Sequence, residues 1–375
     1  MIDIELEPYS DQEVPAIMKR IVADKSFPVL IPYAFPDRKV SEIADMLLGC
    51  STTREFQERF MASMVRSFVQ RTTTGYTTSG TEKIDPDKSY LYIGNHRDII
   101  LDSGMLQVLL LESDLETSEM SIGKNLMVND LICDLGKANK MIPVERNGTA
   151  RELLKSSSIL SRYIRRSITE KGMSVWIAQR NGRAKDGFDK TEGALLKMLN
   201  MSGNGNFVEN FKDLNIVPVS TSYEIEPCDV FKVQEIYETS QGQYEKKPGE
   251  DVKSMATGLI QPKGRIQLSI GNVINGKLAN LGNKKSLNEN INELSAIIDK
   301  EIYKNYKLWP SNYIAYDMLY HERFKDQYTV EEKSLFLEYY NESLNKLVGE
   351  KEKLSHYFLK MYANPVINRI DSELI

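Results

Sequence analysis

Within seven consecutive positions, the stretch "YLYIGNHRDIILDSG" (90–104) places His96, Asp98 and Asp102, side chains suited to proton transfer. An imidazole gains and loses a proton near neutral pH. A carboxylate against one ring nitrogen sets the tautomer and steadies the imidazolium, and the other nitrogen can then act as a base. The β-branched and aromatic run before His96 ends at Gly94, and helical spacing of apolar residues begins near Ile99. The histidine therefore stands where a strand gives way to a helix. Asp98 suits the N-cap, where its carboxylate accepts from backbone N–H groups two or three residues on. That leaves Asp102 as the partner of His96, with Asp98 as the alternate. The same letters also describe a surface histidine beside a capping aspartate.

Other chemistries fail on context. "HRD" shares its letters with the kinase catalytic loop, but no glycine-rich loop or paired lysine strand precedes it, and no asparagine follows at the required place. "GNGNF" (203–207) has two glycines of a phosphate loop and nothing more. No G-x-S-x-G elbow presents a serine nucleophile. Cys50, Cys133 and Cys228 lie far apart, and the histidines are His96, His321 and His356, so no disulfide framework, metal site or cofactor is expected. A formal net charge of −5 offers no basic field for nucleic acid. The acidic "MIDIELEPYSDQEVP" (1–15) holds no apolar h-region, so no secretory leader is expected. The apolar stretches "FPVLIPYAF" (27–35) and "MLQVLLL" (105–111) fall short of the ~18 residues of a membrane span. The expected location is cytoplasmic, peripheral on the cytoplasmic membrane face at most.

The elements that must position His96 read as an α/β core. With 375 residues, two or three domains are expected. Residues 1–75 read as a helical region, with Ser51, Thr52 and Thr53 as N-cap candidates for the helix in "REFQERFMASMVRSFVQR". The apolar, proline-rich "SFPVLIPYAFP" (26–36) between its helices reads as a loop packed on the core or touching membrane. From 76 to 280 strands alternate with helices: "GYTTSGTEKI", "SYLYIG", "EMSIG", "KMIPV", "MSVWIAQ", "NIVPVSTSYE" and "GRIQLSIGNVI" are the strand segments. "SQGQYEKKPGED" (240–251) reads as a polar loop and 275–290 as a linker. Residues 291–375 form a second helical region rich in Tyr, Lys and Glu.

On these residues the sequence resembles the glycerolipid acyltransferases, of the glycerol-3-phosphate or 1-acylglycerol-3-phosphate O-acyltransferase type. Four blocks follow in the family's order. "NHRDIILDSG" resembles the first, with the catalytic His and Asp. "GKNLMVNDLICDLGKANKMIPVERN" (123–147) is similar to the second, and "WIAQRNGRAKDG" (176–187) stands in the place of the third. "IVPVSTSYE" (216–224) is similar to the fourth, and "KGRIQLSIGNVI" (263–274) to the closing strand. Two departures stand out. Five residues separate His96 from Asp102, one more than in the family. On a regular helix one extra residue turns a side chain by about 100°, so a bulge or a later helix start must compensate. Where the third block carries a glutamate, this chain has Gln179, Arg180 and Asn181.

The resemblance implies a mixed central sheet flanked by helices. It also implies transfer of a fatty acyl group from a thioester, acyl-CoA or acyl-acyl carrier protein, to a hydroxyl of glycerol-3-phosphate or a lysophospholipid in membrane lipid synthesis. His96 would be the base. Backbone N–H groups near Gly94 or at the new helix start would be candidate donors to the tetrahedral oxyanion. Arg146 and Arg183 match the arginines of the second and third blocks and would bind the acceptor phosphate through their planar forks, with Lys124, Arg180 and Lys185 as helpers. The basic surface "RYIRRSITEK" (162–171) would meet anionic lipid or a carrier protein, or simply face solvent. "MLQVLLL" would line an acyl groove or pack in the core. The alternatives are a non-catalytic lipid- or carrier-binding protein on the same fold, or O-acylation of a lipid acceptor without phosphate.

Overall fold

The structure is a computed structural model and describes residues 6–242, 244–279, 281 and 286–374. Residues 1–5 of the acidic start, Gln243 of the polar loop, and Asn280 and 282–285 of the expected linker lie outside the described residues.

Seven strands form one sheet: β1 (Thr73–Ser79), β2 (Leu91–Gly94), β3 (Glu119–Gly123), β4 (Met141–Val144), β5 (Val175–Ala178), β6 (Ile216–Tyr223) and β7 (Gly264–Ile270). Their order is β1-β7-β6-β2-β5-β3-β4. All neighbours run parallel except β6 and β7, so the sheet is mixed, as the resemblance implies. The central strand β2 is buried on both faces, which explains its near-continuous apolar run. Its residues alternate between two cores. Tyr92 joins the N-terminal helices and the helix Leu101–Glu112 on one face. Leu91 and Ile93 join the helices Ala150–Thr169 and Leu287–Asn305 on the other. Burying each such side chain contributes roughly 1.5–3 kcal/mol. A third apolar cluster gathers the helices Pro310–Leu319, Val330–Asn345 and Lys351–Leu374 around Phe358 and Tyr362.

Several local expectations change on the structure. The proline-rich segment is a short helix, Phe27–Ala34, rather than a loop. Pro28 sits in its first turn, where a missing N–H has no intrahelical partner to lose. Val29 and Tyr33 on this helix are each 65% exposed. "MLQVLLL" is core: Met105, Leu106, Leu109 and Leu110 are buried against the N-terminal helices. The basic surface of 162–171 is largely engaged within the chain. Arg166 and Lys171 pair with Glu7, and Arg165 donates to the carbonyl of Asn210. Among the described residues, no helix is long and apolar enough to cross a membrane.

Candidate active site

The turn after β2 carries the cluster, and a later helix start solves the spacing problem. The helix begins at Leu101, after a turn over Asp98–Ile100. Asp98 Oδ1 accepts from the backbone N–H of Ile100 at 2.9 Å and of Leu101 at 2.8 Å, so it closes that turn. The first helical turn then delivers Asp102 back toward the histidine. Asp102 Oδ2 lies 3.1 Å from His96 Nδ1 and accepts from the N–H groups of Arg97 at 2.6 Å and Asp98 at 2.9 Å. The geometry therefore separates the two acids: Asp102 is in contact with the ring, and Asp98, the alternate, is not the N-cap residue, which is Ile100, but is occupied in closing the turn before the helix.

The second oxygen of Asp102 has its own donor. The Tyr223 hydroxyl, from the end of β6, donates to Oδ1 at 2.7 Å. Burial, and then the neighbouring Asp102 and Asp98 charges, hold the Tyr223 phenol well above its ordinary pKa, so it remains a donor. Trp176 of β5 meets the imidazole edge-on, with ring centroids 6.0 Å apart. Gly94 is needed for that approach, since a Cβ there would lie 2.8 Å from the indole nitrogen. Of the N–H groups at the helix start, those of Arg97, Asp98, Ile100 and Leu101 already face the two carboxylates.

His96 opens on a cavity of about 640 Å³ beyond the carboxyl ends of β2, β3, β4 and β5. Its lining includes the apolar Leu126, Val144, Leu153, Leu160, Leu195 and Met198. It also includes Arg146, Arg180, Arg183 and Lys185. Four of the five cations singled out in the sequence thus share one cavity with the imidazole. The fifth, Lys124, does not line it: it opens on the adjoining depression beside Pro143 and Ser156 and lies 3.4 Å from Glu145. In the turn at Lys124–Leu126 it is Leu126 that lines the cavity.

The four cations differ in what they already hold. Lys185 pairs with Glu235, and Arg180 Nε lies 4.0 Å from Glu192. Arg146 rests over Gly123, where any Cβ would meet its guanidinium at 3.1 Å. Burial lowers its pKa, opposed by the charge of Asp251. Arg183 Nη1 is buried with no hydrogen-bond partner among the described residues. Gln179, in the place of the missing glutamate, is buried at the end of β5, and its N–H donates to the carbonyl of Gly94 at 2.8 Å. Its side-chain nitrogen has no partner among the described residues. No group of three or more His, Cys, Asp or Glu side chains able to hold a metal occurs among the described residues.

Residues 75–222 match the Acyltransferase family. The chain carries an acyltransferase domain. The matched residues hold β2 to β5 whole, most of β1 and β6, the His96 turn and all five cations named above. No curated protein matches the chain in sequence. Among solved structures, the 1-acyl-sn-glycerophosphate (LPA) acyltransferase PlsC from Thermotoga maritima is similar at 11% identity over 76% of this chain and 95% of that one, with a TM-score of 0.34. Two features of the site escaped sequence reasoning. Tyr223 was visible as the tyrosine of the fourth block, but 121 positions separate it from Asp102. Arg97, inside the quoted "HRD", points away from the cavity into a buried charge cluster.

Proposed function

We propose that this acyltransferase moves a fatty acyl group from an acyl thioester to a hydroxyl of glycerol-3-phosphate or a lysophospholipid. His96 is the general base and Asp102 its partner. With Nδ1–H donated to Asp102, Nε2 takes the hydroxyl proton as the acceptor oxygen attacks the thioester carbonyl. The C–S bond then breaks, and the proton passes from the imidazole to the departing sulfur. The apolar lining of the cavity takes the acyl chain. Arg183 and Arg146 bind the acceptor phosphate, with Arg180 and Lys185 beside them. The observation that carries this reading is the imidazole held by Asp102 at 3.1 Å on the wall of a cavity that is both apolar and guanidinium-lined. The donor is acyl-CoA or an acyl carrier protein thioester. The exposed Val29 and Tyr33 of the helix Phe27–Ala34 are the peripheral membrane contact.

One observation favours a second acceptor class. Lys185 and Arg180 already face Glu235 and Glu192, so an acceptor without phosphate meets less unbalanced charge. The deciding experiment supplies purified protein with labelled acyl-CoA or acyl-carrier thioester and a panel of acceptors. Transfer to glycerol-3-phosphate or lysophosphatidate is expected. Turnover restricted to phosphate-free acceptors would move the assignment to the second class, and binding without any turnover would leave a lipid-binding protein.

A further inference from the structure

The guanidinium of Arg97 lies beneath the His96 turn, on the side away from the cavity, with its side chain 1% exposed. Its Nε and Nη2 reach Asp189 Oδ1 and Oδ2 at 3.0 and 2.6 Å, a two-point contact, and its Nη1 reaches Glu226 at 2.8 Å. Lys232 completes the group: its Nζ donates to Glu226 at 2.6 Å and to the backbone carbonyl of Arg97 itself at 2.8 Å. Two cations and two acids are thus buried together. Asn95 joins from the other side of His96, donating to Asp189 at 3.2 Å. The His96 carbonyl accepts from the N–H of Ala184 at 2.7 Å. Every residue from 95 to 97 is therefore tied to the 184–189 segment or to its ion cluster.

That segment is in turn held by the C-terminal helices. Tyr303 donates to the carbonyl of Asp189, Asn364 to that of Asp186 at 2.7 Å, and Asn368 to that of Gly187 at 3.4 Å. Gly187 has φ +73°, and a Cβ there would lie 2.0 Å from the carbonyl oxygen of Met361. The backbone N–H of Glu226 donates to the Tyr362 hydroxyl at 3.0 Å. Ion pairs so deeply buried gain little net stability over apolar packing, because desolvation offsets their attraction. What they do provide is direction, since the planar fork of arginine fits one orientation of a carboxylate.

We infer that Arg97 is a positioning residue, and that through Asp189, Glu226 and Lys232 the C-terminal helices set where the His96 imidazole stands. The inference rests on the proposed role of His96, but its test does not depend on turnover. The pair Arg97→Met with Asp189→Asn removes one charge of each sign and leaves the Lys232–Glu226 pair intact. Circular dichroism and thermal melting check the fold. The nitrogen-15 histidine spectrum, with three histidines in the chain, reports the His96 Nδ1–H resonance. Acyl transfer gives kcat and KM separately. In the folded double variant, the Nδ1–H resonance is expected to shift or broaden away, and kcat to fall tenfold or more while KM changes less than about threefold. Arg97→Lys, which keeps the charge and loses the fork, should fall between the double variant and the native protein.

A folded double variant with the native His96 resonance and native kcat overturns the inference. Should the first pair fail to fold, Lys232→Met with Glu226→Gln is read in the same way. If neither pair folds, Arg97 acts in stability alone and the inference fails. A native protein that transfers no acyl group, yet whose His96 resonance responds to these changes, sinks the proposed function and leaves the positioning intact.

Discussion

Two walls of one cavity are built in opposite ways. On the His96 wall every polar atom that sets the geometry has a partner within the chain. Asp102 receives two backbone N–H groups and Tyr223 beside its contact with the ring, and the turn beneath is fastened to buried ions. On the cation wall the side chains are half-buried and lightly held. Arg183 keeps an unpaired nitrogen among the described residues, and Lys185 reaches a glutamate. A group that moves a proton must stand within a fraction of an ångström of its place, so it is worth fixing before substrate arrives. A group that binds an anion gains by keeping hydrogen-bonding capacity in reserve.

The comparison breaks most sharply at the base. His96→Ala should reduce kcat about 10²- to 10⁴-fold while leaving the melting temperature nearly unchanged, measured by steady-state transfer and thermal unfolding. Normal turnover in that variant would sink the assignment. On the cation wall, Arg183→Ala should raise the acceptor KM roughly ten- to a hundredfold, the worth of one charge-assisted contact, with the donor KM little changed. Equal effects on both substrates would show that Arg183 does not read the acceptor.

A third variant concerns the fixed wall alone. Asp299 accepts from the N–H and hydroxyl of Thr191, two residues beyond Asp189, and burial pushes its carboxyl up to about 6 from 3.8. A carboxyl whose pKa is raised by folding stabilises the native state while protonated, and that contribution is lost as pH rises through the folded value. Urea unfolding should therefore show the native protein losing roughly 1–3 kcal/mol, relative to Asp299→Asn, between about pH 4 and 6. Parallel curves for the two proteins would remove Asp299 as the cause. The smallest effect belongs to Lys124, which faces the neighbouring depression. Lys124→Ala should alter the acceptor KM by less than about twofold, and a tenfold rise would return it to the site.

Much of this plan was legible in the sequence for a physical reason. Strand and helix periods are local properties, so the β2 run and the amphipathic helix Ala150–Thr169, with Gly172 beyond it at φ +67°, could be read directly. The His96–Asp102 pair was legible as chemistry, but its geometry hung on one residue of helix phase that only the turn at Asp98–Ile100 resolves. Tyr223 and the partners of Arg97 were not legible as partners. They arrive from 92 to 135 positions away, and nothing in the letters around them says which strands will be neighbours. The short helix Phe27–Ala34 was missed because its two prolines read as a loop, although one stands where a helix tolerates it.

The fully engaged carboxylate of Asp102 carries a last consequence for the reaction. Its two oxygens are surrounded by the ring, two peptide N–H groups and a phenol, so a proton drawn onto the imidazole has no onward route through the acid. It must leave by the nitrogen through which it came. In the proposed acyl transfer that would tie deprotonation of the incoming alcohol to protonation of the outgoing thiol on one atom. A leaving group that needs no proton, such as an oxoester phenolate, should then uncouple the two halves and leave the ring charged at the end of the turnover.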